Sequence, residues 1–276
     1  MSYINVGKEN SRAIELHYQD YGKGKPVVLI HGYPLSSSAW EKQIPGLVQM
    51  GYRVIAYDRR GFGESTKPYS GYDYDTFAQD LNKVMETLDL REATLIGHSM
   101  GSGEIARYLS TYGSSRVQKA VFVSPLQPFL LKTDDNPDGL GKEMFDQFQK
   151  AVSDDRFAFL KTFFGNFYAS GMVGHNGVSN ELLAANMAVG SHASAKAMYD
   201  CIPAWLTDFR DDIPKITVPS LIIQGTGDKV LPFEITGKKL SSKLKNSQLV
   251  PIEGAPHGLL WTHAEEVNQA IARFLG

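Results

Sequence analysis

Apolar residues fall in short unbroken runs along this chain, and between the runs they recur at helical spacing. Residues 26–30 (Pro-Val-Val-Leu-Ile) form one continuous run, the pattern of a strand buried on both faces of a sheet. Residues 52–57, 93–96, 120–123, 220–224 and 248–252 repeat it. Residues 14–18 alternate instead, and Gly22 and Gly24 close that strand with a turn. Helices fill the intervals. Residues 76–88 place Phe77, Leu81, Val84, Met85 and Leu88 on one face, and residues 263–275 do the same with Val267, Ile271 and Leu275. Strands alternating with helices predict a mostly parallel sheet covered on both faces.

The rhythm breaks at residues 126–212, where no central strand is visible and the sequence reads as helical or irregular. Nine of the fourteen phenylalanines fall there. The bias suggests a helical cap inserted into one domain spanning 1–276 and laid over its catalytic edge. Most of these rings are expected to pack the cap's own core. The rest imply an apolar chamber, expected to be small, with Trp205, Leu259, Leu260 and Trp261 as candidates for its wall or for the core beneath it.

Composition narrows the partners. Twenty-eight basic residues against thirty acidic ones leave a net charge of −2. Phosphate binding needs a basic footprint, so nucleic acid is not expected as a partner. No run approaches the length of a membrane span, and the first residues lack a basic segment followed by an apolar one, so a cytoplasmic address is expected. The single cysteine, Cys201, allows neither an intrachain disulfide nor a multi-thiolate zinc site.

The chemistry concentrates in Gly97-His98-Ser99-Met100-Gly101, a G-x-S-x-G pattern between an apolar run and a helical stretch. That strand–turn–helix context is what exposes a serine nucleophile at a sharp elbow. A serine hydroxyl is a weak nucleophile and needs a base, which in turn needs an orienting acid. Asp228 follows the run at 220–224 and His257 follows the run at 248–252. Both sit where loops leave the carboxyl ends of strands, the side on which α/β sheets carry their sites. The order Ser, Asp, His is the one this strand–turn–helix nucleophile uses. Two backbone N–H groups are expected to form the oxyanion hole: Met100, after the nucleophile, and Tyr33, in the loop His31-Gly32-Tyr33-Pro34. Pro34 restricts the backbone of Tyr33 and with it the direction of the Tyr33 carbonyl. A fixed carbonyl there can accept a hydrogen bond from a small second nucleophile, so Pro34 is a candidate either for favouring hydrogen peroxide over water or for a rigid turn with no chemical consequence.

The remaining histidines compete less well. His98 adjoins Ser99, but the turn is expected to point the two side chains apart. His31 is expected to hold its loop in place. His17, His175 and His192 have no acidic partner identifiable from sequence, and His263 lies near a helix start. No pair has metal-ligand spacing, and neither H-E-x-x-H, a dinucleotide fingerprint nor a Walker-type loop occurs.

With His31-Gly32-Tyr33-Pro34-Leu35-Ser36, Tyr57-Asp58-Arg59-Arg60-Gly61-Phe62-Gly63, the Ser99 elbow, Gly225-Thr226-Gly227-Asp228 and Gly254-Ala255-Pro256-His257-Gly258-Leu259, the chain resembles the α/β-hydrolase superfamily. Within it, the chain is similar to the cofactor-free bacterial haloperoxidases, or perhydrolases, over essentially its whole length. Ser102 departs from the glycine common there, which bears on packing at the start of the elbow helix. The resemblance implies an α/β-hydrolase fold: a mostly parallel eight-stranded sheet flanked by helices with an inserted helical cap. It implies that Ser99 attacks a small carboxylic acid or ester, that His257 takes the proton, and that Asp228 orients His257. Peroxide then attacks the acyl-serine and releases a peracid that oxidises halide, with no cofactor and no metal. Water in place of peroxide makes the same machinery an esterase. Relatives are commonly oligomeric, so a homo-oligomer is possible. A dedicated hydrolase of a small ester or lactam uses the same residues, and a small-molecule receptor on this fold is a third reading.

Overall fold

A computed structural model describes residues 2–169 and 178–276 of the chain, so His175 lies outside the described residues. Five of the six apolar runs become strands largely buried on both faces, while the run at 248–252 becomes a partly exposed edge strand. Eight strands form one sheet: β1 (Ser2–Glu9), β2 (Arg12–Gly22), β3 (Pro26–Ile30), β4 (Arg53–Tyr57), β5 (Ala93–His98), β6 (Val117–Val123), β7 (Ser220–Gly225) and β8 (Ser247–Ile252). Their order is β1-β2-β4-β3-β5-β6-β7-β8. β1 pairs antiparallel with β2 and β2 antiparallel with β4; the other neighbours are parallel. Strand β1 was not among the apolar runs. It is an edge strand that buries only Ile4 and Val6 well, so its pattern is mostly polar.

Period-two alternation within each run divides the core between the two faces. Val28, Ile30, Ile55, Tyr57, Leu95, Phe122 and Ile222 face one cluster; Val27, Leu29, Val54, Ala56, Ile96, Val121 and Ile223 face the other. Each such side chain contributes roughly 1.5–3 kcal/mol when fully buried. The first cluster takes in α2 (Tyr74–Thr87) and α3 (Met100–Tyr112), and the second takes in α1 (Ile44–Gln49) and, near the C-terminus, Val267, Ala270 and Ile271. Helix α2 begins two residues earlier than the apolar spacing indicated, because Asp73 caps it by accepting the Thr76 N–H at 2.8 Å.

Between β6 and β7 come α4 (Lys142–Phe167), α5 (Asn180–His192) and α6 (Ala195–Ala204), with no strand of the main sheet among the described residues. Helix α4 is broken at Asp155, whose φ of −156° and ψ of 92° are non-helical. Its carboxylate accepts the Phe157 and Ala158 N–H groups at 3.0 Å each and so caps the second half. Helix α7 (Gly237–Lys243) joins β7 to β8, and α8 (Leu259–Thr262) and α9 (Ala264–Leu275) follow β8.

The chain leaves β3 for β4 on one side and then crosses to β5 on the other. Strands β3 and β5 therefore flank a topological switch point, and the crevice at their carboxyl ends is where an α/β sheet offers a site. The loops carrying Tyr33 and Ser99 leave the sheet there.

Candidate active site

Ser99 sits between β5 and α3 at φ 53° and ψ −119°, outside the regions that L-residues favour. Such a conformation costs on the order of 1–3 kcal/mol, and the surroundings must hold it. The Ser99 N–H donates to the Val123 carbonyl at 2.8 Å, and the Ser99 carbonyl accepts the Ser102 N–H at 2.9 Å. The two flanking glycines are required by space. A Cβ on Gly97 would lie 2.5 Å from the Gly101 carbonyl oxygen, and one on Gly101 would lie 2.3 Å from that of Ile30. Ser102, the departure from glycine, uses its hydroxyl here: Oγ is 2.6 Å from the Ser99 carbonyl oxygen and 2.9 Å from the Gln127 amide oxygen.

Asp228 and His257 arrive on the loops after β7 and β8. One carboxylate oxygen of Asp228 accepts the N–H groups of Val230 at 2.9 Å and Leu231 at 2.8 Å, which fixes its orientation. The other lies 2.7 Å from Nδ1 of His257. A carboxylate only accepts, so Nδ1 carries the proton and Nε2 keeps its lone pair. Nε2 is buried and has no hydrogen-bond partner among the described residues. The Ser99 hydroxyl is therefore not bonded to it in the resting enzyme; such contacts commonly close only when substrate is bound. The His257 ring is wedged between Phe167, whose centroid is 5.0 Å away edge-on, and His98, 4.9 Å away.

His98 does not merely point away from the site. Its Nε2 lies 3.1 Å from the His257 carbonyl oxygen, so it donates there and pins the loop that carries His257. Burial, reinforced by the nearby His257, holds the His98 pKa well below its ordinary value, so the ring stays neutral. His31 does hold its loop. It accepts the Arg59 N–H on Nε2 at 2.9 Å and donates from Nδ1 to the Gly32 carbonyl at 2.8 Å. Burial pushes its pKa down to about 3. His17 has a partner that sequence did not reveal, Asp58 Oδ2 at 3.2 Å, and His192 comes within 3.9 Å of Glu64. His263 bonds the neighbouring Thr262 hydroxyl.

The two expected oxyanion donors lie on the segments that follow β3 and β5, the strands that flank the switch point. Met100 opens α3, where a helix leaves its first N–H groups without intrahelical acceptors. The Tyr33 N–H donates to no backbone acceptor among the described residues. The Tyr33 side chain is buried, donates to the Met198 carbonyl at 3.2 Å and packs edge-on against Trp205 and Phe163. Its bond to Pro34 is cis, and Pro34 packs near Gly190 of α5.

Ser99 and Tyr33 open into a cavity of about 570 Å³. Phe145, Phe148, Phe159 and Phe163 of α4, with Leu130 and Trp205, line it. The chamber is thus larger than the sequence suggested, because the break at Asp155 lets the two halves of α4 both face it. Leu259 lies in the core, while Leu260 and Trp261 line a separate cavity of about 420 Å³ with His98 and Phe167. Phe129, Phe164 and Phe209 are buried packing, and Phe157 is exposed. Among the described residues no three His, Cys, Asp or Glu side chains gather as a metal site, and no helix is long and apolar enough to cross a membrane.

Residues 25–264 match the family described as the alpha/beta hydrolase fold. A Synechocystis protein provisionally named a non-heme chloroperoxidase is 53% identical over 275 residues, covering 100% of both chains. The bifunctional esterase/perhydrolase of Acinetobacter calcoaceticus is 40% identical over 266 residues, covering 95% of this chain and 96% of its own. The crystal structure of a bromoperoxidase from Bacillus anthracis superposes with a TM-score of 0.96 at 47% identity, covering 99% of each chain.

Proposed function

The chain belongs to the α/β-hydrolase family, in its non-heme haloperoxidase branch, and from that premise we propose that it is a serine-dependent perhydrolase with accompanying esterase activity. The observation that carries the reading is the 2.7 Å Asp228–His257 bond, which fixes the proton on Nδ1 and leaves Nε2 of the buried imidazole without a partner among the described residues.

Ser99 Oγ attacks the carbonyl carbon of an ester or carboxylic acid, and its proton passes to His257 Nε2. The tetrahedral oxyanion is held by the N–H groups of Tyr33 and Met100. Asp228 stabilises the imidazolium that forms. Collapse expels the alcohol, or water from an acid, with the proton from His257, and leaves acyl-Ser99. Hydrogen peroxide then attacks the acyl carbon, giving a proton to His257. The C–Oγ bond breaks, Ser99 recovers the proton, and a peracid leaves. The peracid oxidises bromide or chloride to hypohalous acid and reverts to the carboxylic acid. Helices α4 to α6 serve as the cap that excludes bulk water from the acyl chamber.

Water in the second step makes the protein an esterase, and the 570 Å³ apolar chamber favours that second reading for bulky acyl groups. One experiment separates them: peroxide and water compete for one acyl donor at known concentrations, and peracid and acid are both measured. Peracid in excess of the peroxide-to-water ratio supports the perhydrolase. Proportional partition supports the esterase. Pro34→Leu is expected to lower the peracid share, and an unaltered partition removes Pro34 from the account. Ser99→Ala is expected to abolish p-nitrophenyl ester hydrolysis and carboxylate-dependent bromination together; survival of either at near-normal rate rejects the shared acyl-serine.

A further inference from the structure

An oxyanion hole made of two N–H groups works only if both aim at one point, and here the two come from different segments. Tyr33 lies on the loop after β3, and Met100 lies at the start of α3. A buried ion pair spans the gap between those segments. Arg59, just past β4, grips the Tyr33 loop twice through His31: its backbone N–H donates to Nε2 at 2.9 Å, and Nη2 donates to the His31 carbonyl at 3.0 Å. The same guanidinium grips α3. Its Nε donates to Glu104 Oε2 at 2.9 Å, with Nη2 at 2.8 Å from the same oxygen. Glu104 is four residues after Met100, one helical turn along α3. Its other oxygen accepts the Tyr57 hydroxyl. The Arg59 and Glu104 side chains are each 1% exposed.

Stability alone explains this arrangement poorly. Desolvating two charges costs several kcal/mol per ion, and a well-packed apolar pair in the same place is often as stable or more so. Arg59 Nη1 and the nearby buried Tyr74 hydroxyl lack partners among the described residues, which adds to the cost. What apolar side chains cannot supply is a rigid fork that fixes the distance between the Tyr33 loop and α3.

We propose that Arg59 and Glu104 are positioning residues that set the separation of the Tyr33 and Met100 N–H donors, a role that rests on the acyl-serine reading above. They touch neither substrate nor the reacting atoms. Their effect is felt where charge develops on the oxyanion, and hence in kcat rather than in KM.

The test compares wild type with the double variant Arg59→Met/Glu104→Leu and with Arg59→Lys. Three quantities are read: kcat and KM on a p-nitrophenyl ester, the melting temperature, and inhibition by two ligands. An alkylboronic acid forms a tetrahedral adduct with Ser99 and places an oxygen in the hole; an uncharged ether analogue of the ester only fills the chamber. The double variant is expected to melt at or above the wild-type temperature. Its kcat is expected to fall roughly tenfold to a hundredfold, as for donors displaced by less than their own loss. Boronate affinity should fall in parallel, with KM and ether affinity within about threefold of wild type. Wild-type kcat and boronate affinity in a folded double variant overturn the proposal. So does a parallel loss of kcat, KM and melting temperature, which is the signature of a merely structural pair. If the double variant does not fold, Arg59→Lys, which keeps the charge but loses the fork, decides by the same criteria. Failure of the underlying reading shows elsewhere, as ester hydrolysis surviving in Ser99→Ala.

Discussion

Asp228→Asn should leave the shape of the site intact and remove its base. The backbone N–H groups of Val230 and Leu231, at 2.9 and 2.8 Å from one carboxylate oxygen, accept no substitute for an acceptor at that place. The asparagine carbonyl oxygen must therefore stay there, and its NH2 group must face His257 Nδ1, now at 2.7 Å from the other oxygen. Two N–H groups cannot face each other, so Nδ1 gives up its proton and Nε2 takes one. The imidazole then presents a donor to Ser99 and can no longer deprotonate it. The same exchange in a serine protease triad lowers kcat about 10⁴-fold, which is about 5 kcal/mol of transition-state stabilisation. We expect a loss of that order in kcat for p-nitrophenyl ester hydrolysis and for peracid formation, with KM within about threefold. The melting temperature should change little, because Gln224, 3.4 Å from the exchanged atom, makes only a weak contact with it. A variant that folds and keeps kcat within tenfold of wild type would refute the assignment of Asp228 and His257 as an acid–base pair.

The chamber makes a prediction about substrates. Each methylene buried in it is worth about 0.8 kcal/mol, or about fourfold in kcat/KM. A p-nitrophenyl ester series from acetate upward should climb by about that factor per carbon until the 570 Å³ chamber is full, and Ala151→Phe should move the maximum to shorter chains; a flat series, or an unmoved maximum, counts against this chamber as the acyl site. Acid should also destabilise the fold through His31, held at about 3 by burial against about 6.5 in the unfolded chain. Between those values the unfolded chain binds a proton that the folded one does not, so the stabilisation is complete above pH 6.5 and declines as the pH falls towards 3. The expected loss is about 2 kcal/mol between pH 6.5 and 4.5. Denaturant titrations at the two pH values should show His31→Gln losing less than wild type by about that amount, and equal losses would assign the acid sensitivity to other groups.

The elements and residues that sequence revealed are those whose requirements are local. The glycines around Ser99 are legible because backbone approaches of 2.5 and 2.3 Å leave no alternative residue. The central strands β3 to β7 are legible because both of their faces are buried. What escaped depends on neighbours brought together from far along the chain. His98 and the His257 carbonyl are 159 residues apart and meet only because their strands end at the same edge of one sheet. The same holds for His17 and Asp58 across β2 and β4. Strand β1 escaped for another reason: as an edge strand it has little to bury. The size of the chamber escaped because it hinges on one residue. Asp155 looks like a surface aspartate in a helical stretch, yet by capping the second half of α4 it turns a long helix into two walls.

The topology also explains why the first half of the proposed reaction is easier to read than the second. A nucleophile, a base and an acid each need a defined side chain, and the proposed ones follow the ends of β5, β8 and β7, with the proposed donors on the segments that leave β3 and β5 at the switch point. The choice between peroxide and water needs no side chain of its own. In the proposed reaction it is a difference in how two small molecules are held against the same acyl carbon, and the groups proposed to set it are the backbone near Tyr33 and the apolar walls of the chamber. One bond to a carbonyl is worth about 1 kcal/mol net, or a factor of about five in partition. A difference that small can arise from any of several backbone groups around Pro34, so it has to be measured as a product ratio rather than read from the presence of a residue.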